Sequence, residues 1–347
     1  MLGIFPTVRE DGLDWTKNVA RATWSGKHLG FHAAVLQVRG DWAFYKEVFA
    51  FPHWTGHQCC WKCFAKNSPG DVGDFRDASA NAPWRNRRIT GQQFMMLQRA
   101  EGIQPSTLFA CPGTTVDMVM VDWLHTMDLG VLADVIGNVF WDALPLMGAP
   151  PRDHQVKSLW NMIQLYYAEA KVPDRLDGLT EEMIKDKKSA PRQRGRAAQV
   201  RYLLPFAARL AESFSSENEH WRTVATVTDL LLQLTLMNNT IPYDGPAAAS
   251  ISQRVALLLC GLEMEALSEG DCARWRTKPK VHLMEELIEY QTLEKGSPCQ
   301  YWTYKDESWG MWLSTVTARR GGKKSAWNVA LSSLLRFRYM MHKLESK

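Results

Sequence analysis

The stretch that decides the fold is Ala33-Ala-Val-Leu-Gln-Val-Arg39, which is followed at once by Gly40-Asp41-Trp42. The run is apolar and partly β-branched, and a glycine ends it, which is typical of a buried strand. This places Asp41 at the carboxyl end of the strand, where metal-binding carboxylates are common. A turn or a helix N-cap is nevertheless the commoner role of a lone aspartate.

Beyond Leu124 the apolar side chains recur at helical spacing. Steps of mostly three and four residues connect the members of four runs and predict amphipathic helices that pack on one another. The runs are Leu129, Leu132, Ile136, Val139; Val156, Trp160, Ile163, Tyr167; Ile251, Val255, Leu258, Leu262; and Ala330, Leu334, Phe337, Met341. With a second short strand expected at 116–121, the pattern indicates an α/β protein whose β part is small and N-terminal.

Composition narrows the class of protein. The chain has 347 residues with 46% hydrophobic and 22% charged side chains, which is typical of a globular protein and not of a disordered one. The net charge of +4 is compatible with a nucleic-acid partner without demonstrating one. No secretory signal is recognisable, and the longest apolar runs fall short of the roughly 20 residues of a membrane helix, so we predict a soluble protein with no membrane partner.

The cysteines indicate the redox compartment of the protein, and the tryptophans allow two interpretations. Seven cysteines, an odd number and mostly scattered, exclude a secreted disulfide framework and favour a reducing, intracellular compartment. The fifteen tryptophans favour core packing, because large aromatic side chains dominate burial. Base stacking is the alternative for any that are exposed.

Cys60 and Cys63 are the clearest candidate metal ligands. Two thiolates at this spacing can bind one Zn²⁺ in tetrahedral geometry, and two further ligands are then needed. His53 and His57 lie just upstream, and Asp122-Trp-Leu-His125 offers a carboxylate and an imidazole three residues apart. The alternative is that these cysteines are buried as small apolar side chains.

Charged residues in the second half of the chain suggest two further roles. Glu307 follows a possible cap at Thr303 and would lie in the first turn of a helix, either as a metal ligand or as an acid that favours the helix dipole. A basic stretch at 185–201 could contact phosphates or form a solvated loop. Its candidate DNA contacts are Lys187, Lys188, Arg192, Arg194 and Arg196.

The order of these motifs resembles CACTA-type (En/Spm-like) cut-and-paste DNA transposases. The resemblance covers residues 36–337, and it rests on Gly40-Asp41-Trp42, Cys60-Trp-Lys-Cys63, Asp122-Trp-Leu-His125 and Lys280-Val-His282. It implies a ribonuclease-H-like core interrupted by a zinc-binding insert and by a long, mostly helical insertion. The expected parts are residues 1–51 (core with Asp41), 52–125 (Cys/His insert), 126–277 (helical insertion) and 278–347 (helical end of the core with Glu307).

The resemblance also implies a chemistry. In that family two Asp and one Glu hold two Mg²⁺ or Mn²⁺ ions that cleave and transfer DNA strands. Asp41 matches the second Asp by position and Glu307 the Glu. Cys60, Cys63 and His125, with Asp122 beside them, match the family's Cys/His signature and imply a structural Zn²⁺. DNA as the partner, a nuclear location and self-association are further expectations of the resemblance.

The chain departs from the family at the first catalytic Asp. Only Asp11 and Asp14 precede Asp41, and both lie in a polar, turn-like stretch. The simplest expectation is a truncated or domesticated element. Two functions follow: a two-metal strand transferase, which the incomplete set of acids calls into question, or a non-catalytic, zinc-stabilised DNA-binding or scaffold protein. A helical protein whose motifs match by chance is the third alternative.

Overall fold

The structure is a computed structural model. It describes residues 2–5, 20–24, 27–35, 37–110, 114–148, 150–187, 189–240 and 242–304. The chain divides into two compact units, Met1–Tyr301 and Trp302–Lys347. The second unit is described only over residues 302–304.

A small antiparallel sheet lies at the N-terminus. Its strands are β1 (Leu2–Phe5), β2 (Ala20–Trp24) and β3 (Lys27–Val35). β3 pairs with both neighbours, so the strand order is β1-β3-β2. Leu2 lies opposite Val35, and Trp24 lies opposite Lys27.

The predicted ribonuclease-H-like α/β core is wrong. From residue 37 to residue 304 the described chain is built from helices and loops and contains no strand, only isolated bridges. The apolar run 33–39 misled the prediction, because β3 ends at Val35 and Val38 makes just one parallel bridge, to Val119. The strand expected at 116–121 is a turn of 3-10 helix, Val116–Met118, that leads into this bridge. The apolar segment 116–121 therefore packs on helices, whereas Ala33–Val35 belong to the small sheet.

Helices form most of the described chain between residues 42 and 304. They are α1 (Trp42–Phe49), α2 (Gly91–Ala100), α3 (Ala133–Ala143), α4 (Arg152–Glu169), α5 (Glu181–Ile184), α6 (Ala197–Ser213), α7 (Glu219–Met237), α8 (Gly245–Ser268), α9 (Pro279–Glu285) and α10 (Thr292–Lys295). Two π-helical stretches join them: Leu124–Leu132 runs directly into α3, and Glu286–Gln291 links α9 to α10.

Short polar side chains fix where several helices begin. Thr90 and Gln93 form a capping box at the start of α2. Asn218 caps α7 by accepting a hydrogen bond from the Trp221 N–H, and Asp244 caps α8 in the same way. Each cap satisfies a backbone donor that the helix leaves unpaired, which typically contributes about 1 kcal/mol.

The core is helical. α6 packs on α7 and α7 on α8, while the π-helix Leu124–Leu132 packs against α6 and α9. The predicted run at 129–140 lies inside this core, with Leu132, Ile136 and Phe140 fully buried. Trp61, Trp84 and Trp123 are fully buried too, as the core interpretation of the tryptophans requires.

Two helical stretches, Leu124–Leu146 and Gly245–Ser268, are long and apolar enough to cross a membrane by length and composition alone. Within the protein 67% of the apolar window of the first and 33% of that of the second are buried. The mostly buried first stretch is typical of a core helix. The exclusion of a membrane partner stays a prediction.

Candidate functional site

Hydrogen bonds from both sides hold the turn that carries Cys60 and Cys63. The side-chain amide of Gln58 donates to the carbonyl oxygens of Cys60 at 3.2 Å and Cys63 at 2.8 Å. The Lys62 N–H donates to Sγ of Cys60 at 3.3 Å. The Ile89 N–H donates to the Lys62 carbonyl at 2.9 Å and ties the turn to the chain that precedes α2. The loop-rich segment thus presents both thiols from one fixed turn.

The two thiols meet two side chains from the far end of the first unit. Potential ligand atoms of Cys60, Cys63, His282 and Glu286 all lie within 4.8 Å of one another, and all four residues are buried. Sγ of Cys63 lies 3.2 Å from Nε2 of His282, and Sγ of Cys60 lies 3.9 Å from Oε1 of Glu286. His282 and Glu286 are four residues apart on one helical face, which aims both at the turn.

The four residues fit a zinc ion. Zn–S and Zn–N bonds of about 2.3 and 2.1 Å at a tetrahedral angle place sulfur and nitrogen about 3.6 Å apart, close to the spacing found here. The Oε2 atom of Glu286 and the Nδ1 atom of His282 are buried without a hydrogen-bond partner. Two thiolates, an imidazole and a carboxylate would complete the coordination of Zn²⁺, so the ion would be structural.

Electrostatics in this cluster already favour thiolate. Burial raises the pKa of the Cys60 thiol, but the hydrogen bond from Cys63 and the charge of His282 outweigh it and lower that pKa to about 6. Burial lowers the pKa of His282, whereas the negative charges of Cys60 and Glu286 raise it overall. Burial raises the pKa of the Cys63 thiol, so the cluster favours negative charge on Cys60 beside positive charge on His282, and a metal cation would take the place of that positive charge.

Two arginines surround the cluster. Arg88 forms an ion pair with Glu286, and Arg85 bridges Glu285 and Glu289 in the interior. Burial raises the pKa of Glu285 to about 8, although the charge of Arg85 opposes the shift. These pairs compensate for the buried carboxylates and join residues 85–88 to α9 and to the helical stretch that follows it.

The predicted ligands Asp122 and His125 are placed elsewhere. Oδ2 of Asp122 accepts hydrogen bonds from the backbone N–H of His125 at 3.0 Å and pairs with Nδ1 of the same residue at 2.7 Å. The imidazole that the structure brings to Cys60 and Cys63 is that of His282. The motif Lys280-Val-His282 supports the transposase resemblance, but its position in the sequence does not connect it to the cysteines. The signal that could have found the site is the four-residue spacing of His282 and Glu286.

A second feature, a cavity of about 180 Å³, adjoins the cluster. Asp41, Asp122 and His125 line it, so the structure brings together residues that the sequence assigned to separate metal sites. Aromatic side chains form much of the remaining wall. The other lining residues are Gly40, Trp42, Ala43, Tyr45, Trp54, Trp61, Val121, Thr126, Lys280 and Leu283.

Lys280 lines this cavity while supporting the π-helix Leu124–Leu132. Its Nζ donates to the carbonyl oxygens of His125 at 2.7 Å and Leu129 at 3.0 Å. The guanidinium of Arg192 also donates to the Leu129 carbonyl. A Cβ at position 130 would lie 2.7 Å from Cδ of Lys280, so Gly130 leaves the room that the lysine needs. The two cations satisfy carbonyls that the wider π-helical turn leaves exposed.

Of the two acids predicted to be catalytic, Asp41 and Glu307, the structure describes Asp41. Asp41 caps α1, since its Oδ1 accepts a hydrogen bond from the Phe44 N–H at 2.6 Å. Glu307 lies outside the described residues. Over the described ranges, the convergent group of three or more potential metal ligands is the one built on Cys60 and Cys63. The assignment of Asp41 and Glu307 to a two-metal site stays a prediction.

Three of the candidate DNA contacts are engaged by carboxylates. Arg192 pairs with Asp134 at 3.1 Å. Two further pairs are Arg194–Asp186 at 3.1 Å and Arg196–Asp174 at 2.8 Å. Lys187 is exposed, and Lys188 lies outside the described residues.

Comparison with known proteins identifies no relative: no family model, no curated protein and no solved structure matches this chain.

Proposed function

We propose that this protein is a zinc-stabilised, non-catalytic DNA-binding scaffold related to CACTA-type transposases. The observation that carries the proposal is the buried group of Cys60, Cys63, His282 and Glu286, whose ligand atoms lie within 4.8 Å of one another. Zn²⁺ bound by these residues would have no open coordination position, so its role would be to hold the fold together.

The ion would join distant parts of the chain. Cys63 and His282 are 219 residues apart in sequence, so a metal bond between them closes a very long loop. Closing such a loop restricts the unfolded chain far more than the folded one, which stabilises the folded state. The proposal therefore makes the integrity of the DNA-binding surface depend on zinc.

The structural role of Asp41 favours DNA binding over DNA strand cleavage as the function of the protein. Its carboxylate serves as the N-cap of α1, and the opposing acid in the cavity, Asp122, is engaged by His125. Both carboxylates thus have structural tasks. Strand cleavage is the competing function, and it would need divalent metal ions at Asp41 together with an acid from outside the described residues.

DNA is the partner that the sequence resemblance implies. Some residues of the basic stretch at 185–201 are available to contact it, and others are committed to the fold. The side chains of Arg194 and Arg196 are 51% and 73% exposed, and exposed ion pairs contribute only about 0–1 kcal/mol, so phosphates can compete for them. Arg192 also holds the π-helical carbonyl of Leu129, which commits it to the fold. Within this stretch we assign DNA contact to Lys187, Arg194 and Arg196.

Fluorescence anisotropy with a labelled duplex tests the proposal. The zinc-loaded protein should bind duplexes of unrelated sequence, and binding should weaken as salt rises because counterions are released. Combined replacement of Lys187, Arg194 and Arg196 by alanine should lower the affinity. Arg209→Ala is the matched control, since Arg209 is a similarly exposed, ion-paired arginine elsewhere on α6.

A nicking assay with Mn²⁺ separates the two functions. The proposal expects no strand cleavage by the zinc-loaded protein. Cleavage that Asp41→Asn abolishes would overturn it, because asparagine keeps the helix cap and removes the charge alone.

A further inference from the structure

The cavity beside the zinc cluster has aromatic walls. Trp42, Trp54 and Trp61 line it together with Tyr45. The rings of Trp42 and Trp61 stand at 86° to each other with centroids 5.8 Å apart, so two indoles meet at a right-angled corner. Trp61 is buried, and its Nε1 has no hydrogen-bond partner. A cavity of about 180 Å³ is several times larger than one water molecule requires.

The charged groups of the cavity are predominantly acidic. Asp41 and Asp122 contribute carboxylates, and Lys280 contributes an ammonium group whose pKa burial lowers to about 8. Nζ of Lys280 is turned to the carbonyls of His125 and Leu129, which partly offset its charge. Burial and then the negative charges of Asp122 and Asp41 raise the pKa of Tyr45, so the field of both acids reaches the inner wall.

Aromatic faces at right angles and nearby carboxylates select one kind of ligand. The face of an aromatic ring attracts cations, and the attraction is largest for Trp. An alkylated ammonium sheds its water easily and fills such a space with methyl groups, whereas a bare ammonium or a metal ion needs oxygen ligands around it.

We propose that this cavity binds an N-methylated ammonium group, carried by a small choline-like molecule or by a methylated lysine side chain. Trp42, Trp54 and Trp61 surround the methyl groups, and Asp41 and Asp122 supply the negative charge. The site goes beyond the proposed scaffold function and does not depend on DNA binding. It does share Trp61 with the turn of Cys60 and Cys63, so the cavity is complete only in the folded, metal-loaded protein.

Calorimetry and ligand-observed NMR of the full-length, zinc-loaded protein with choline test the site. Choline should bind, and its N-methyl signal should shift upfield because the indole rings shield it. The neutral isostere 3,3-dimethylbutan-1-ol has the same shape without the charge. We expect it to bind at least about tenfold more weakly, since cation–π attraction and the carboxylates are lost.

Variants identify the cavity as the site. Trp54→Ala removes a half-buried wall, and Asp41→Asn removes one charge while keeping the cap of α1; each should weaken choline binding several-fold. Trp160→Ala, on α4, should leave it unchanged. Acetylated trimethyl-lysine amide and unmodified lysine amide, run in parallel, distinguish a free small molecule from a modified protein as the source.

Three results would overturn the proposal. One is the absence of binding by both choline and the trimethyl-lysine probe. The second is equal binding of the neutral isostere, which would indicate an apolar cavity. The third is displacement of choline by Mn²⁺ with loss of Mn²⁺ binding in Asp41→Asn, which would assign the acids to a divalent metal.

Discussion

Asp41 and Asp122 occupy equivalent positions on two segments that run in parallel. Val38 and Val119 form a parallel bridge, and each aspartate follows its valine by three residues. Each carboxylate accepts a hydrogen bond from the backbone N–H three residues further on, in Phe44 and in His125. The Val38–Val119 bridge thus places the beginnings of two helices, each capped by its aspartate, side by side at one cavity. The sequence pattern assigns these two aspartates to separate metal sites, whereas both line this cavity.

The first prediction concerns the metal ligands. Replacing Cys63 by Ser or His282 by Ala should abolish stoichiometric zinc binding, because each removes a ligand from a buried group. Inductively coupled plasma mass spectrometry of the purified variants measures the zinc content. The thermal midpoint should fall in parallel, and chelation of the wild-type protein should lower it in the same way.

Two controls sharpen that prediction. Cys272→Ser changes an exposed free cysteine and should keep a full zinc content. His125→Ala removes the imidazole that the sequence favoured as a ligand and should also keep it. Loss of zinc in His125→Ala with retention in His282→Ala would contradict the assignment.

The second prediction concerns the buried arginine. Arg85→Met should destabilise the protein by about 3–5 kcal/mol, because it leaves Glu285 and Glu289 buried without their partner. The neighbouring, exposed Arg87 offers a matched control, and Arg87→Met should change stability by no more than about 0.5 kcal/mol. Urea unfolding followed by circular dichroism measures both. Equal effects of the two changes would show that the ion pairs contribute nothing specific.

The third prediction contrasts two helical glycines. A Cβ on Gly137 would lie 2.3 Å from the backbone Cα of Arg192, so Gly137→Ala should force α3 away from that segment and destabilise the protein. Gly261 in α8 has open space around it, and Gly261→Ala should stabilise the protein by about 0.5–1 kcal/mol through helix propensity. Urea midpoints of the pair give the comparison. A stable Gly137→Ala protein would mean that the two backbones are further apart than described.

The fourth prediction is a dependence of stability on pH. Burial lowers the pKa of His220, but its hydrogen bonds to Asp142 and Glu265 outweigh this and raise it above the usual 6.5. A raised pKa means that protonated His220 stabilises the fold below its unfolded pKa, and that this contribution is lost as pH rises through the folded pKa. Between pH 6 and 8 the wild-type protein should therefore lose stability that His220→Gln does not lose. Identical pH profiles of the two proteins would refute the role of His220.

Sequence periodicity predicted the helices of the described residues well, because α4 and α8 each carry one apolar face at regular spacing. The helix predicted at 330–341 lies outside the described residues. Val156, Ile163 and Tyr167 are buried as a single stripe. The strand predicted at 33–39 is correct only up to Val35, where β3 ends, since a short apolar run has the same composition whether it enters a sheet or packs on helices. Only the tertiary partner, here Val119, decides between the two.

Two of the four candidate metal ligands could be predicted from the sequence, and the other two could not, because they too depend on tertiary packing. A CxxC turn is local, so Cys60 and Cys63 identify themselves by spacing. Their partners are set by how α9 packs, and sequence proximity favoured His125 over a histidine 219 residues away from Cys63. No pattern in the sequence between Cys63 and His282 predicts that these two residues meet.

That separation also orders events in time. The ribosome releases Cys60 and Cys63 more than two hundred residues before His282 and Glu286. The nascent chain therefore carries two thiols that can bind metal only weakly and exchangeably until α9 emerges and docks. Under the proposed zinc binding, capture of the ion would be the closing step of maturation, and a chain that stalls before residue 282 would lack both late ligands.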